Sequence, residues 1–392
     1  MTTPAAAAAT RLVETQGDFE EIIARLAREP LVAVDTEAAS FHRHHDRVYL
    51  LQLSSRTETA VVDPLAVADL GAFGRMLADP AVEIIFHDAD YDLRLLDREF
   101  GFRATSVFDT RIASQLLNEP GIGLAALLDK YFGLRLDKRF QRSDWSVRPL
   151  SADMLAYAAN DTRHLAALRD ILAADLTARG RLTWAREEFV LLEGIRWSPP
   201  DEEEPAYLRM KGAKALKGRS LAVLRELHQW REEIASRIDR AAFRIMNNEP
   251  MFAVARALPT DLAALRALPG IGPDLVERRG RDLLAAVQRA LAIPEAELPR
   301  VERGPRRMPD PAFEARLERL KTVRNLMAVR CELAPGVLCP NGTLEAIARA
   351  NPVRPDDLRQ LPEMRRWQIA EIGPELIAAL PEPPSLSTPE TP

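Results

Sequence analysis

The chain has 392 residues, 47% hydrophobic and 28% charged, which is too long for one ordinary domain and too apolar for global disorder. Two cysteines, Cys331 and Cys339, exclude a disulfide framework and a four-cysteine zinc site, and fit a reducing compartment as plain thiols. The net charge of −5 is uneven: residues 206–290 hold 16 Lys and Arg against 9 Asp and Glu, so the middle is basic and suits a phosphate-bearing partner.

The alanine run before Thr10 lacks the basic and leucine-rich parts of a secretory signal. No stretch approaches the roughly 18 apolar residues of a membrane span, so a cytoplasmic location with no membrane partner is expected. Short apolar runs rich in β-branched residues predict strands at 31–37, 48–54, 59–63 and 82–87. Apolar spacings of three and four predict helices at 70–77, 91–100, 110–117, 124–132 and 153–173. Residues 10–195 thus read as a mixed α/β domain.

The acidic, proline-containing run 198–205 marks a boundary. Helices are then predicted at 220–238, 241–245, 251–257, 261–267 and 274–292, broken at 247–250 and at 268–273, which gives a small all-α domain over 206–293. A second proline-rich break at 304–311 precedes a looser helical series over 310–380, and the Pro/Ser/Thr/Glu tail 381–392 is expected to be disordered.

Three groups of carboxylates carry chemistry. Asp35 and Glu37 lie two apart on a strand, so both face one way and can share a ligand, or else emerge at a strand end into solvent. In the run 87–93, Asp88 or Asp90 can cap the following helix, which leaves Asp92 unexplained by capping. Tyr157 and Asp161 are one helical turn apart and can reach a common water.

In order and spacing these groups resemble the motifs of the DEDD superfamily of 3′–5′ exonucleases, in its tyrosine branch, and within it the ribonuclease D family. Asp35-Thr36-Glu37 is similar to the first motif, His87 followed by Asp92 to the second, and Tyr157 with Asp161 to the third. Phe108-Asp109-Thr110, Ser143-Asp144-Trp145-Ser146 with Arg148-Pro149-Leu150, and Tyr49-Leu50-Leu51-Gln52-Leu53 add to the likeness over about residues 10–190. The resemblance implies an α/β ribonuclease H-like fold, a mixed sheet flanked by helices, with two divalent ions (Mg2+ or Mn2+) held by Asp35, Glu37, Asp92 and Asp161. It also implies a hydrolase that releases nucleoside 5′-monophosphates from RNA 3′ ends, with tRNA precursors or other small structured RNAs as partners. Tyr157 is expected to orient the attacking water, since an ordinary tyrosine titrates near pH 10, and His87 is expected to be structural. A Werner-type DNA exonuclease and a catalytically silent RNA-binding scaffold are the alternatives.

The helices over 206–293, with Leu268-Pro269-Gly270-Ile271-Gly272-Pro273, resemble the HRDC domain, and those over 310–380 a second, weaker HRDC-like copy. Lys211, Lys214, Lys217 and Arg219, then Arg278, Arg279 and Arg281, are candidates for neutralising an RNA backbone. Trp230, Phe243 and Phe252 read as core residues rather than a stacking platform. Gln52, Asp144, Trp145 and Arg148 are expected to line the RNA path, through stacking and phosphate pairing. His42, His44 and His45 read as a loop group facing solvent or RNA rather than a zinc site.

Overall fold

The computed structural model describes residues 10–137, 139–199, 204–301 and 310–380. The tail 381–392, half of the first predicted linker (200–203) and most of the second (304–309) lie outside the described residues. The first part is a six-stranded mixed sheet with strands β1 (Thr10–Val13), β2 (Leu31–Glu37), β3 (Leu50–Ser54), β4 (Thr59–Val62), β5 (Glu83–Phe86) and β6 (Val107–Asp109), in the order β1-β4-β3-β2-β5-β6. β3 runs antiparallel to β2 and β4, while the pairs β1/β4, β2/β5 and β5/β6 are parallel. β2 and β3 are buried almost throughout, which suits a central pair with helices on both faces. This is the sheet flanked by helices that the resemblance implies.

The flanking helices are α1 (Gln16–Leu26), α2 (Gly71–Leu77), α3 (Asp90–Phe100), α4 (Thr110–Leu116), α5 (Leu124–Phe132), α6 (Ala152–Arg163), α7 (Leu165–Ala178) and α8 (Leu182–Glu193). The single helix predicted over 153–173 is two, parted at His164. α6 lies over β3 and β4 while α7 packs on β5 and α4, so the chain must turn between them. The expected carboxylate cap of α3 is also different. Asp88, at φ 73°, pairs with Arg111, and Asp90 pairs with Arg94 one turn on. The amide of Ala89 instead donates to Asp109, whose other oxygen caps α4 through the amides of Arg111 and Ile112.

The first helical part comprises α9 (Ala206–Arg209), α10 (Gly218–Arg237), α11 (Ala242–Ile245), α12 (Asn248–Ala257), α13 (Leu262–Arg266) and α14 (Pro273–Ala292). It has its own apolar core around Leu221, Leu227, Val254 and Leu283. Asn248, Glu249 and Pro250, predicted as a break, form the first turn of α12, where proline needs no amide partner. This part docks by its α10–α11 corner on the loop after β2. Asp239 accepts from the amides of His44 and His45 (3.1 and 3.0 Å), and the Ala241 amide donates to the His42 carbonyl at 3.0 Å. The three loop histidines, expected to face solvent or RNA, therefore sit at a seam between two parts of the chain, with His45 exposed there and His42 and His44 half-buried.

The second helical part comprises α15 (Pro311–Arg330), α16 (Pro335–Leu338), α17 (Asn341–Ala350) and α18 (Arg366–Ala378). Its core is continuous with that of the α/β part, through Phe108, Leu116, Leu168 and Phe189 on one side and Leu320, Ile347 and Ile372 on the other. Removal of residues 310–392 strips cover from α8, so we expect a chain ending at residue 301 to melt lower and aggregate more readily than the whole chain. A light-scattering melt that matched the full chain would contradict the shared core.

Candidate active site

One strand end and one helix build the site. The pleat of β2 turns Asp35 and Glu37 to the same face and Thr36 to the other. α6 packs across β2 and β3 and sets Tyr157 and Asp161, one turn apart, beside them. Carboxylate oxygens of Asp35, Glu37 and Asp161 all lie within 4.8 Å of one another. Asp92 comes from α3 and does not join that group. One of its oxygens accepts from the Thr36 amide at 3.1 Å and from the Thr36 hydroxyl at 2.5 Å.

Burial and mutual repulsion dominate the electrostatics. Asp35 is pushed well above the usual carboxylate range by burial and then by the charge of Asp161. Glu37 rises through burial and the charges of Asp35, Asp161 and Asp92, and Asp92 rises through burial and Asp35 against the Thr36 hydrogen bonds. Burial lifts Asp161 to about 7. No Lys or Arg is among the described residues lining the adjoining cleft of about 380 Å³, formed by Asp35, His87, Leu136, Gln141, Tyr157 and Asp161 with neighbours from α5. The donors are all hard oxygens with no protein cation among the described residues lining that cleft, so the residues fit Mg2+ or Mn2+ and do not fit a zinc site. Gln52, opposite Asp35 in the ladder and on the same face, is fully buried with both amide atoms unpartnered among the described residues.

A pH signature follows. Each raised carboxyl holds its proton more tightly folded than unfolded, so this contribution to stability is complete below about pH 4 and is lost as pH rises through the folded values. We expect the melting temperature without divalent ions to fall from about pH 5 to pH 8, and added Mn2+ to cancel most of the fall. A melting temperature equally flat with and without Mn2+ would contradict this electrostatic picture.

The Tyr157 ring packs beside Phe140 and Trp145, with centroids 5.8 and 6.0 Å away. Burial and the charges of Asp161, Glu37 and Asp35 hold its hydroxyl well above the ordinary tyrosine value. In the cation-free chain it is a neutral phenol that can donate a hydrogen bond into the cleft. His87 is held neutral as well, burial lowering it to about 4. The Thr110 hydroxyl donates to the Phe86 carbonyl at 3.0 Å, so His87 Nδ1, 2.9 Å from that hydroxyl, carries the proton and donates to it. His87 thus braces the cleft wall, as a structural role requires.

Several residues expected along the RNA path are placed elsewhere. Trp145 is 1% exposed and packs under Tyr157 and Tyr49, so it cannot stack on a base. Gln52 is fully buried and cannot touch a strand on the surface. The Arg148 guanidinium is fully engaged, with both oxygens of Asp63 and the carbonyls of Tyr49, Trp145 and Val147. It ties the 143–150 loop to the sheet and has no donor left for phosphate. Asp144 accepts from the amide and hydroxyl of Ser146. Partial burial opposes its ionisation, but those bonds, with Arg43 and His42 nearby, keep it below the usual range. Lys211, Lys214 and Lys217 are exposed, as a phosphate contact requires, with Lys214 paired to Glu204 at 2.6 Å. They precede α10, whereas the seam lies past its other end; at 1.5 Å per residue its 20 residues separate the two by about 30 Å. Arg219 closes the end of α14 through the carbonyls of Ala290 and Ile293.

The comparisons with known proteins agree with this site. Residues 10–177 match the 3′–5′ exonuclease family, and residues 220–287 and 313–380 each match the HRDC domain. Ribonuclease D of Gluconacetobacter diazotrophicus is 33% identical over 376 residues, covering 94% of this chain and 92% of that protein. The chain belongs to the ribonuclease D family. It is a ribonuclease D-like 3′–5′ exoribonuclease, a hydrolase whose acidic triad Asp35, Glu37 and Asp161 fits a metal site. Among solved structures, a protein from Bifidobacterium adolescentis superposes with a TM-score of 0.80 at 25% identity, covering 94% of this chain and 96% of that one. Escherichia coli RNase D, an exoribonuclease involved in structured RNA processing, shares the fold with a TM-score of 0.67 at 24% identity, covering 95% and 98%. Among the described residues, no helix is long and apolar enough to cross a membrane.

Proposed function

We propose that the chain shortens RNA from its 3′ end to nucleoside 5′-monophosphates with two divalent cations, Mg2+ or Mn2+, and that it trims precursors of tRNA or other small structured RNAs with single-stranded 3′ ends. The observation that carries this reading is the convergence of Asp35, Glu37 and Asp161 within 4.8 Å, beside Tyr157. In this reading Asp92 joins them as a fourth ligand, turning from Thr36. When bound, the cations supply charge stabilisation for the attacking and leaving oxygens of an in-line displacement at phosphorus. Tyr157 donates a hydrogen bond that fixes the attacking water. The division of labour follows the units expected from sequence, with residues 10–195 cutting, and residues 206–293 and 310–380 holding RNA and bracing the fold.

Tyr157→Phe is expected to lower kcat by about 10- to 100-fold with little change in KM, because it removes orientation and not a charge. The alkaline limb of its pH–rate profile should match wild type. Loss of a titrating step in the variant would assign Tyr157 as a base instead. The reading as a whole is tested with a 5′-labelled RNA carrying a single-stranded 3′ tail, run beside its DNA counterpart and a tRNA precursor with a 3′ trailer. A ladder shortening from the 3′ end of both RNAs, dependent on Mg2+ or Mn2+, is expected. A ladder mainly on DNA favours the Werner-type alternative, and no cleavage by folded protein favours the silent scaffold.

A further inference from the structure

A strip of exposed aromatic and arginine side chains leads away from the catalytic cleft across the seam with the first helical part. Gln141 lines the cleft, and the guanidinium of the next residue, Arg142, lies 5.3 Å from the centre of the Phe41 ring. Phe41 meets Phe243 edge-on at 6.4 Å, and Arg244 lies 5.8 Å from the Phe243 ring. Phe41 and Phe243 come from different parts of the chain, yet each is nearly half exposed, at 46% and 45%. Phe243 is therefore not the core residue that its helical spacing suggests. An open pair of aromatic rings flanked by guanidinium groups offers π faces to unpaired bases and positive charge to their phosphates.

Beyond Arg244 the strip runs into a second cleft of about 260 Å³, lined by Arg240, Arg244, Arg278 and Arg279 together with Ile238, Ile245, Leu275 and a single carboxylate, Asp274. Arg244 is anchored through its Nε to the Phe41 carbonyl, and Arg279 lies 3.7 Å from Asp282. Among the described residues Arg278 pairs with the solvent-exposed Asp274 alone, at 3.2 Å, an ion pair that salt and a competing phosphate both weaken. The exposed guanidinium of Arg240 has no partner among the described residues. The strip and this cleft lie at the end of α10 that faces the catalytic part, and the lysines flagged from sequence lie at its other end.

We propose that this strip, from Arg142 through Phe41, Phe243 and Arg244 to Arg240 and Arg278, binds the single-stranded RNA that trails upstream of the reacting 3′ end. The inference rests on the reading above for which end enters the cleft. Bases stack on Phe41 and Phe243, and the arginines hold the phosphates between and beyond them. Longer single-stranded RNAs are then held more tightly than short ones, by a surface shared between two parts of the chain. An acidic peptide would use the arginines but not the aromatic pair.

The test is equilibrium binding of a 20-nucleotide single-stranded RNA to the full chain in chelator, where hydrolysis is off, followed over a salt series. For the double variant Arg240→Glu/Arg278→Glu we expect Kd to rise about tenfold or more, and the slope of log K against log salt to shrink by about 1.4, or about 0.7 per lost phosphate contact. Phe41→Ala is expected to weaken binding about fivefold or more at every salt concentration without changing that slope, as loss of a stacking face requires. Kd and slope unchanged in the arginine variant would overturn the proposal, as would losses confined to Lys211→Glu/Lys217→Glu. Arginine dependence with no effect of Phe41→Ala would also overturn it, in favour of an acidic partner. Because no turnover is measured, an inactive wild type would count against the catalytic reading and leave this result standing.

Discussion

Asp161→Asn is expected to abolish exonuclease activity, by at least about a thousandfold or roughly 4 kcal/mol of transition-state stabilisation, while making the cation-free chain more stable. The two effects have one cause. Asp35, Glu37 and Asp161 are half-buried together with no lysine or arginine among the described residues lining their cleft, so their negative charge suits a cationic ligand and strains the fold. Asn keeps the shape, removes a charge and cannot serve as an anionic ligand. Above about pH 7, where Asp161 is ionised, the variant should melt higher than wild type in chelator, and the rise in melting temperature on adding Mn2+ should shrink. A variant both inactive and less stable in chelator would show a packing defect and remove the support for a ligand role.

The largest effect on stability is expected at Trp367, far from the chemistry. Two adjacent carboxylates on α8 receive the start of α18. Glu187 accepts from the amides of Arg366 and Trp367 at 2.7 and 3.1 Å, and so caps a helix whose own preceding residue supplies no carboxylate. Glu188 accepts from the Trp367 indole at 2.9 Å and from Arg365 at 3.1 Å. The Trp367 ring, 5% exposed, stacks on Trp184 with centroids 4.7 Å apart and planes 14° from parallel. Trp367→Ala removes this ring and leaves Glu188 short of a partner, at a cost of about 3–5 kcal/mol. For a cooperative unit of this size that corresponds to a fall in melting temperature of roughly 6–15 °C. Differential scanning calorimetry should show the transition of the α/β part and residues 310–380 moving as one, because they share a core, while residues 206–301, with their own core, are not displaced. Separate movement of the 310–380 transition alone would refute the shared unit.

The catalytic centre was legible because its residues sit at fixed offsets within single elements. A strand period of two unites Asp35 with Glu37, and one helical turn unites Tyr157 with Asp161. Asp92 was legible only through the family's motif order, since its approach from α3 depends on how the sheet and helix pack. The helix α1 carries the same kind of local signal, with Phe19, Ile22, Ile23 and Leu26 buried on one face, although no element is predicted there from the sequence. β1 and β6 are only four and three residues long, too short for a pattern to stand out.

Misplaced residues fail for a different reason: their chemistry is ambiguous until their neighbours are known. A tryptophan between aspartate and serine can stack on a base or fill a core, and Trp145 fills a core because α6 and Tyr49 close over it. Arg148 is spent on Asp63, which lies 85 residues away in sequence. Phe243 shows the reverse case. On a one-turn helix its spacing suggests burial, but docking on the loop after β2 leaves it beside Phe41 at the surface. No local pattern encodes that meeting of two parts.

The most direct measurement is a calorimetric titration of Mn2+ into the cation-free chain with 5′-AMP present, repeated with Asp35→Asn and Asp161→Asn. Two ions per wild-type chain are expected, with the loss of at least one site in each variant. No binding by the folded wild type, or the same isotherm in all three proteins, would contradict the claim that these carboxylates are the metal-binding centre of the exonuclease.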